Sequence, residues 1–240
     1  TWHHPQGRYH TVLTGGPLID DELGIYISGE DAIRKFSSDG QLLWTFEEGS
    51  HEHPSISDGL LYASILEDSV VALSMETGRQ VWRTAVGKGI GQDTGFVSMH
   101  QGVVVGSAHA DDWKGDDMGV GHNQMIYGLR ATDGALLWHY RPEVGVWNFL
   151  PNFDGEGAFT FQDREGGVYR VDLATGRLFW SARGPRGGTF TDGGAILGPN
   201  RAVYAVSSEG RPLEAALGRP GAIGAYGLER GERLWARAFD

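Results

Sequence analysis

The chain has 240 residues, 40% of them hydrophobic and 21% charged, enough to bury a sizeable core. A formal net charge of -11, with no lysine or arginine cluster of phosphate-reading size, argues against nucleic acid or an anionic membrane surface as a partner. Cysteine is absent, which excludes disulfides, thiolate zinc sites and a thiol nucleophile, and no apolar stretch is long enough to span a bilayer.

Five times along the chain a glycine is followed four residues later by a tryptophan, at Gly40/Trp44, Gly78/Trp82, Gly134/Trp138, Gly176/Trp180 and Gly231/Trp235. A fixed offset recurring every 40 to 55 residues or so marks an array of one supersecondary unit. Residues 1–15 read as an N-terminal extension or the remnant of a preceding unit, with Trp2 in the place of its tryptophan. Unit one covers about residues 16–46, with a β-rich run over Gly24 to Ile27. Unit two, about 54–86, is the clearest. Pro54 to Ser57 is a short extended run, Asp58 and Gly59 are a hairpin signal, and Leu60 to Leu66 is a second strand. Ser69 to Met75 then alternates its apolar faces, and Arg79 to Val86 carries Trp82. Unit three (about 95–141) holds β-rich runs at Val103 to Val105 and at Ile126 and Tyr127. Unit four (about 152–183) holds Ala158 to Phe161 and Val168 to Val171; unit five (about 191–240) holds Ala202 to Ala205 and Gly224 to Tyr226. No helical period is sustained anywhere. The expected fold is therefore all-β: a single β-propeller domain over residues 1–240, with about five four-stranded antiparallel blades. The glycine supplies the positive φ of a tight turn, and the indole on the outermost strand cements the next blade. Trp44, Trp82, Trp138, Trp180 and Trp235 are thus expected to be docking residues.

The runs from Ala72 to Trp82 and from Val171 to Trp180 resemble the quinoprotein repeat, the tryptophan-docked propeller blade. The resemblance covers nearly the whole chain and implies the fold. For function it implies two kinds of relative: pyrroloquinoline-quinone-dependent alcohol and sugar dehydrogenases, and non-catalytic scaffolds such as the lipoprotein of outer-membrane barrel assembly. The chain looks closer to the scaffolds. Rings of this family usually have more than five blades, so the resemblance also implies part of a larger ring, or an open arc completed by another polypeptide. An extracytoplasmic or organelle-lumen location is implied by the same analogy.

In a four-stranded blade the loops between strands two and three share a face with the blade-to-blade connections. Units three and five expand those loops, over His109 to His122 and Ser208 to Gly221. The expected binding surface comprises His51, His53, His109, Asp111, Asp112, Trp113, Asp116, Asp117, His122, Trp147, Phe149 and Arg211. The four aspartates lack the alternating spacing and closing glutamate of an EF-hand, and the histidine pairs fall short of convergent zinc ligands, so no metal is assigned. A quinoprotein dehydrogenase would need pyrroloquinoline quinone, Ca2+ and an aspartate base, for which Asp154 and Asp192 are the candidates. Neither stands in a recognisable motif, and no catalytic residue is assigned. There is no nucleophile elbow, Walker loop or HExxH helix.

The expected function is a non-catalytic propeller scaffold without a cofactor, binding other protein subunits in a larger assembly, at most peripheral to a membrane complex. One alternative is a partial or degenerate quinone-dependent dehydrogenase. A second is a carbohydrate or small-ligand propeller using Trp113 and Trp147 as exposed platforms.

Overall fold

The computed structural model describes residues 16–50, 52–65, 68–90, 95–112, 123–187, 190–191, 194–208 and 220–239. They form five four-stranded antiparallel sheets, each built from consecutive strands. Blade one holds β1 (Leu18–Ile19), β2 (Ile25–Ser28), β3 (Ile33–Phe36) and β4 (Leu42–Phe46). Blade two holds β5 (Ser55–Ser57), β6 (Leu60–Ile65), β7 (Ser69–Ser74) and β8 (Gln80–Ala85). Blade three holds β9 (Val97–His100), β10 (Val103–Ala108), β11 (Met125–Arg130) and β12 (Leu136–Tyr140). Blade four holds β13 (Asn152–Phe153), β14 (Ala158–Gln162), β15 (Val168–Asp172) and β16 (Leu178–Ala182). Blade five holds β17 (Ile196–Leu197), β18 (Ala202–Ser208), β19 (Gly221–Gly227) and β20 (Arg233–Phe239). The architecture is an all-β propeller arc of about five blades.

A β-bulge precedes the tryptophan in every blade. Trp82 pairs with Ala72 while Gln80 pairs with Leu73, so Val81 is the extra residue. The same slip occurs in the other outer strands. A bulge reverses the inside–outside phase of the rest of its strand. The result is an exposed apolar residue (Leu43, Val81, Leu137, Phe179) directly before a buried indole.

The core lies between the sheets. Four buried clusters correspond to the four junctions between successive blades. Trp44, Trp82, Trp138 and Trp180 each sit in one of them, 7–9% exposed. Their indole N–H groups donate to the carbonyls of Met75, Ala131, Leu173 and Leu228, all in the following blade, at 2.7 to 3.1 Å. Each acceptor lies three residues before that blade's turn glycine. The glycine itself is the landing surface. Gly78 has φ 69°, and a Cβ there would come within 2.7 Å of the Trp44 ring. Gly134, Gly176 and Gly231 stand in the same relation to Trp82, Trp138 and Trp180. Bare backbone is therefore required at the turn both for its dihedral and for the approach of the ring.

Trp235 departs from the expectation. It is 39% exposed and appears in none of the four clusters. Blade five is the last sheet, and among the described residues no sixth blade lies beside it. Trp2 lies outside the described residues.

Candidate functional site

One face of the arc is built by tying the β2–β3-type loops to the blade connections through backbone hydrogen bonds. The Ser50 N–H donates to the Gly29 carbonyl and the Val86 N–H to Asp68. The His109 N–H donates to Gly89, and the Lys88 N–H returns to His109. Asn123 and Val146 exchange a pair of bonds, Arg164 donates to Gly145, and Ser208 donates to Phe190. Small hydroxyls on the second strands reinforce these ties. Ser28, Ser64 and Ser207 donate to the carbonyls of Glu52, Gly95 and Pro185, and the Asn123 amide reaches Ser107 at 3.0 Å. The connections are thus pinned where loops would otherwise be free.

Several expected surface residues prove to be interior. Phe149 is 1% exposed and packs among Phe159 and Phe161. Trp147 is 8% exposed and meets Phe190 edge-on at 5.7 Å, so it is no exposed platform for a sugar. Both sit on the connection from blade three to blade four, and Phe149 is part of the buried cluster at that junction. His109 is also buried. His53 stacks on Phe96 at 5.6 Å and its Nε2 accepts from the Gly16 N–H. Asp111 and Asp112 are exposed, and Asp112 pairs with Arg141 at 2.9 Å. These two aspartates line a cavity of about 450 Å³ with Val86, Met125, Tyr127 and His139. His51, Trp113, Asp116, Asp117, His122, Asp192 and Arg211 lie outside the described residues. Among the described residues no group of three or more His, Asp or Glu converges as a metal site.

The face has an acidic feature that sequence reasoning missed. Asp163, in the β14–β15 turn, accepts from the Tyr169 hydroxyl at 2.8 Å and from the backbone N–H groups of Glu165 and Gly167. Burial raises its carboxyl pKa above the ordinary range, and these bonds only partly offset the rise. It borders a cavity of about 480 Å³ shared with Glu143, Glu165 and Arg183. The buried turn position, which desolvates the carboxyl, has no local signature.

Asp154, a candidate base under the dehydrogenase alternative, is instead a structural anion. It lies in the β13–β14 turn, on the face opposite the loops. Its side chain is fully buried, and Oδ2 accepts from Arg170 Nε at 3.1 Å and Nη2 at 2.6 Å. Burial pulls its pKa up. The Arg170 guanidinium and the N–H groups of Glu156 and Ala158 more than reverse this and hold the carboxyl below the usual range. Such a group is a poor proton acceptor. With Trp147 and Phe149 buried and Asp154 locked to arginine, the described residues do not fit a quinone held over an aromatic floor beside Ca2+.

A family model described as PQQ_2, Outer membrane protein assembly factor BamB, matches residues 29–240. The chain is 27% identical over 237 residues to the outer membrane protein assembly factor BamB of Burkholderia pseudomallei, covering 84% of this chain and 60% of that one. It is 25% identical over 139 residues to a tetrathionate hydrolase of Acidithiobacillus ferrooxidans, covering 53% of this chain and 27% of that one. The chain therefore spans at most 60% of these curated relatives. Among solved structures, BamB from Moraxella catarrhalis superposes with a TM-score of 0.64 at 18% identity, covering 95% of this chain and 62% of that chain. The quinohemoprotein alcohol dehydrogenase of Comamonas testosteroni superposes at 0.65 and 13% identity, covering 95% and 43%. At such identities the two structures speak for the fold alone.

Proposed function

The chain belongs to the PQQ_2 family of the outer membrane protein assembly factor BamB, and from that premise we propose that it is a non-catalytic propeller scaffold. It binds other protein subunits of an outer-membrane protein assembly machinery, outside the cytoplasm, and uses no cofactor. The observation that carries this reading is the family match over residues 29–240. The state of one of the two candidate bases supports it, since Asp154 is paired with Arg170, and so does the burial of Trp147 and Phe149. The binding surface is the loop face, where a rigid floor of backbone-tied connections presents Asp111, Asp112 and Arg141. Rigid presentation lowers the ordering cost of association.

The test is surface plasmon resonance against the purified barrel-forming subunit of such a machinery. The paired reversals Asp111→Lys and Asp112→Lys are expected to weaken binding by about tenfold or more. Glu76→Lys, on the opposite face, leaves binding unchanged. Equal binding by both variants removes the loop face as the contact. A rise in melting temperature on adding pyrroloquinoline quinone and Ca2+, with alcohol oxidation, replaces the scaffold by the dehydrogenase.

A further inference from the structure

On the face opposite the loops, two junctions of the arc are built alike, but only one of them carries its own clamp. In blade four the β13–β14 turn folds on Asp154. Its N–H donates to the Ala158 carbonyl, and its Oδ1 accepts from the Glu156 and Ala158 N–H groups at 2.8 and 3.0 Å. In blade one the β1–β2 turn folds the same way on Asp20. Its N–H donates to Gly24, and its Oδ1 accepts from the Glu22 and Gly24 N–H groups at 3.0 and 2.6 Å. Glu22 therefore stands in the place of Glu156. A third-strand cation backs each aspartate: Arg170 pairs with Asp154 at 2.6 Å and Lys35 with Asp20 at 3.2 Å. In the following blade the indole is received by the Leu228 carbonyl in one junction and by Met75 in the other, so Glu229 and Glu76, the next residues, correspond. The Leu228 N–H donates to the Arg201 carbonyl at 3.0 Å and the Met75 N–H to the Gly59 carbonyl at 2.9 Å, so Gly59 stands where Arg201 does.

Between blades four and five, Arg201 joins the two glutamates. Its Nη1 and Nη2 donate to the two Glu156 carboxylate oxygens at 2.7 and 2.9 Å, and Nη2 also donates to Glu229. Between blades one and two both glutamates are kept, but the arginine position is a glycine. A Cβ on Gly59 would meet nothing within 4 Å. Lys35 does not substitute, because its ammonium is held by Asp20 and by the Met75 carbonyl at 3.1 Å. Among the described residues no cation pairs with Glu22 or Glu76. Asp21 and Asp58 add two more carboxylates to the wall of this cavity of about 940 Å³. Among the described residues no three acidic groups converge as a metal site, so a point cation is not what the wall is shaped for. A planar fork that spans two carboxylates is what the other junction holds.

We infer that the cavity between blades one and two binds an arginine side chain of a protein partner, seated between Glu22 and Glu76 as Arg201 is between Glu156 and Glu229. Arg201 is half exposed where it pairs, so the equivalent contact is a recognition point within a wider interface rather than a deep site. This surface lies opposite the loop face, serves a different partner chain and does not rest on the loop-face reading.

The test titrates the 240-residue chain with the capped tripeptides Gly-Arg-Gly and Gly-Lys-Gly in about 0.15 M salt, following backbone amide shifts by NMR. The arginine peptide is expected to give saturable shifts at Glu22, Gly59 and Glu76, and the lysine peptide weaker ones. The exposed, isosteric pair Glu22→Gln with Glu76→Gln abolishes the shifts, and Gly59→Arg blocks them by supplying the guanidinium from within. Arg201 has φ 58°, so arginine accepts the left-handed backbone of this position. Gly59→Arg should accordingly melt about 2 °C or more above Gly59→Ala, and lose that advantage in the double glutamine background. Absence of saturable shifts with the arginine peptide overturns the inference. So does equal binding of the lysine peptide, or binding that survives the double glutamine variant, since either would reduce the effect to the general field of an acidic protein.

Discussion

The indole N–H of Trp82 donates to the carbonyl of Ala131 at 2.9 Å, and Gly134 of the same turn lies beneath the Trp82 ring. Trp82 and Ala131 are 49 positions apart, so this one contact closes a whole blade against the next. Trp82→Ala is expected to cost about 3 to 5 kcal/mol, the usual range for emptying a buried large aromatic site. Trp82→Phe keeps much of the apolar area but leaves the Ala131 carbonyl without its donor, for about 1 to 3 kcal/mol. Trp235→Ala removes a half-exposed ring and should cost about 1 kcal/mol or less. Urea unfolding of the three variants checks this order; a Trp235 variant as damaged as the Trp82 variant would contradict it.

The turn glycines predict a second contrast. Gly59 and Gly134 have nearly the same φ, 77° and 72°. A Cβ on Gly59 meets nothing within 4 Å, whereas one on Gly134 falls 2.5 Å from both the Trp82 ring and Thr84 Oγ1. Gly59→Ala therefore carries only the left-handed strain, about 1 to 2 kcal/mol. Gly134→Ala adds overpacking at the junction, about 1 to 3 kcal/mol more. Parallel melting curves measure the difference, and equal losses would show that the glycine serves its dihedral alone.

The blade count was legible because a fixed glycine–tryptophan offset survives any change of loop length, and because strands such as Ser69–Ser74 alternate cleanly. Leu60–Ile65 and Gln80–Ala85 likewise fall within a residue or so of the expected runs. The site was less legible. Trp147 and Phe149 stand in a proline-flanked connection that reads as surface; Phe149 is buried in the junction of blades three and four, and Trp147 lies against Phe190 of the next connection. Asp154 reads in sequence as a turn former, and its Oδ1 does accept from the Glu156 and Ala158 N–H groups; its pairing with Arg170, 16 residues away across a strand pair, has no local signature. Trp235 has the same local pattern as the other four. What differs is the blade beside it, which lies outside any local window.

Two arginine–aspartate pairs of similar length should behave very differently. Arg141 and Asp112 are both at least half exposed, so Arg141→Ala should change stability by about 0.5 kcal/mol or less. Arg170 is 10% exposed, over a fully buried Asp154, and its guanidinium also stacks on Phe179 at 5.1 Å. Arg170→Ala leaves the buried Asp154 carboxylate of the β13–β14 turn without its cation and should cost about 3 to 5 kcal/mol. Most of that loss should be recovered in the double variant Arg170→Ala with Asp154→Asn, measured as a thermodynamic cycle. A purely additive cycle would show that Arg170 acts through packing rather than charge.

Asp154 and Asp163 give opposite signs to the pH dependence of stability. The folded-state pKa of Asp154 lies below its unfolded value of 3.8, so its contribution is complete above that pH and is lost as pH falls through the folded value. Asp163 has a folded pKa above 3.8, because burial disfavours its ionised form. Its penalty is complete above the folded value and is relieved as pH falls toward the unfolded one, so acidification through that window is stabilising at this site. Asp154→Asn should therefore flatten the decline in unfolding free energy as pH falls below 3.8. Asp163→Asn should steepen the decline on the side above pH 3.8, because it removes the opposing gain. Chemical denaturation across the pH range reads both slopes, and a steeper decline in the Asp154 variant or a flatter one in the Asp163 variant would reverse the assignment of these two carboxylates. The slopes do not depend on how much either substitution destabilises the protein at neutral pH, since a lost hydrogen bond shifts the whole curve while a lost titration changes its slope.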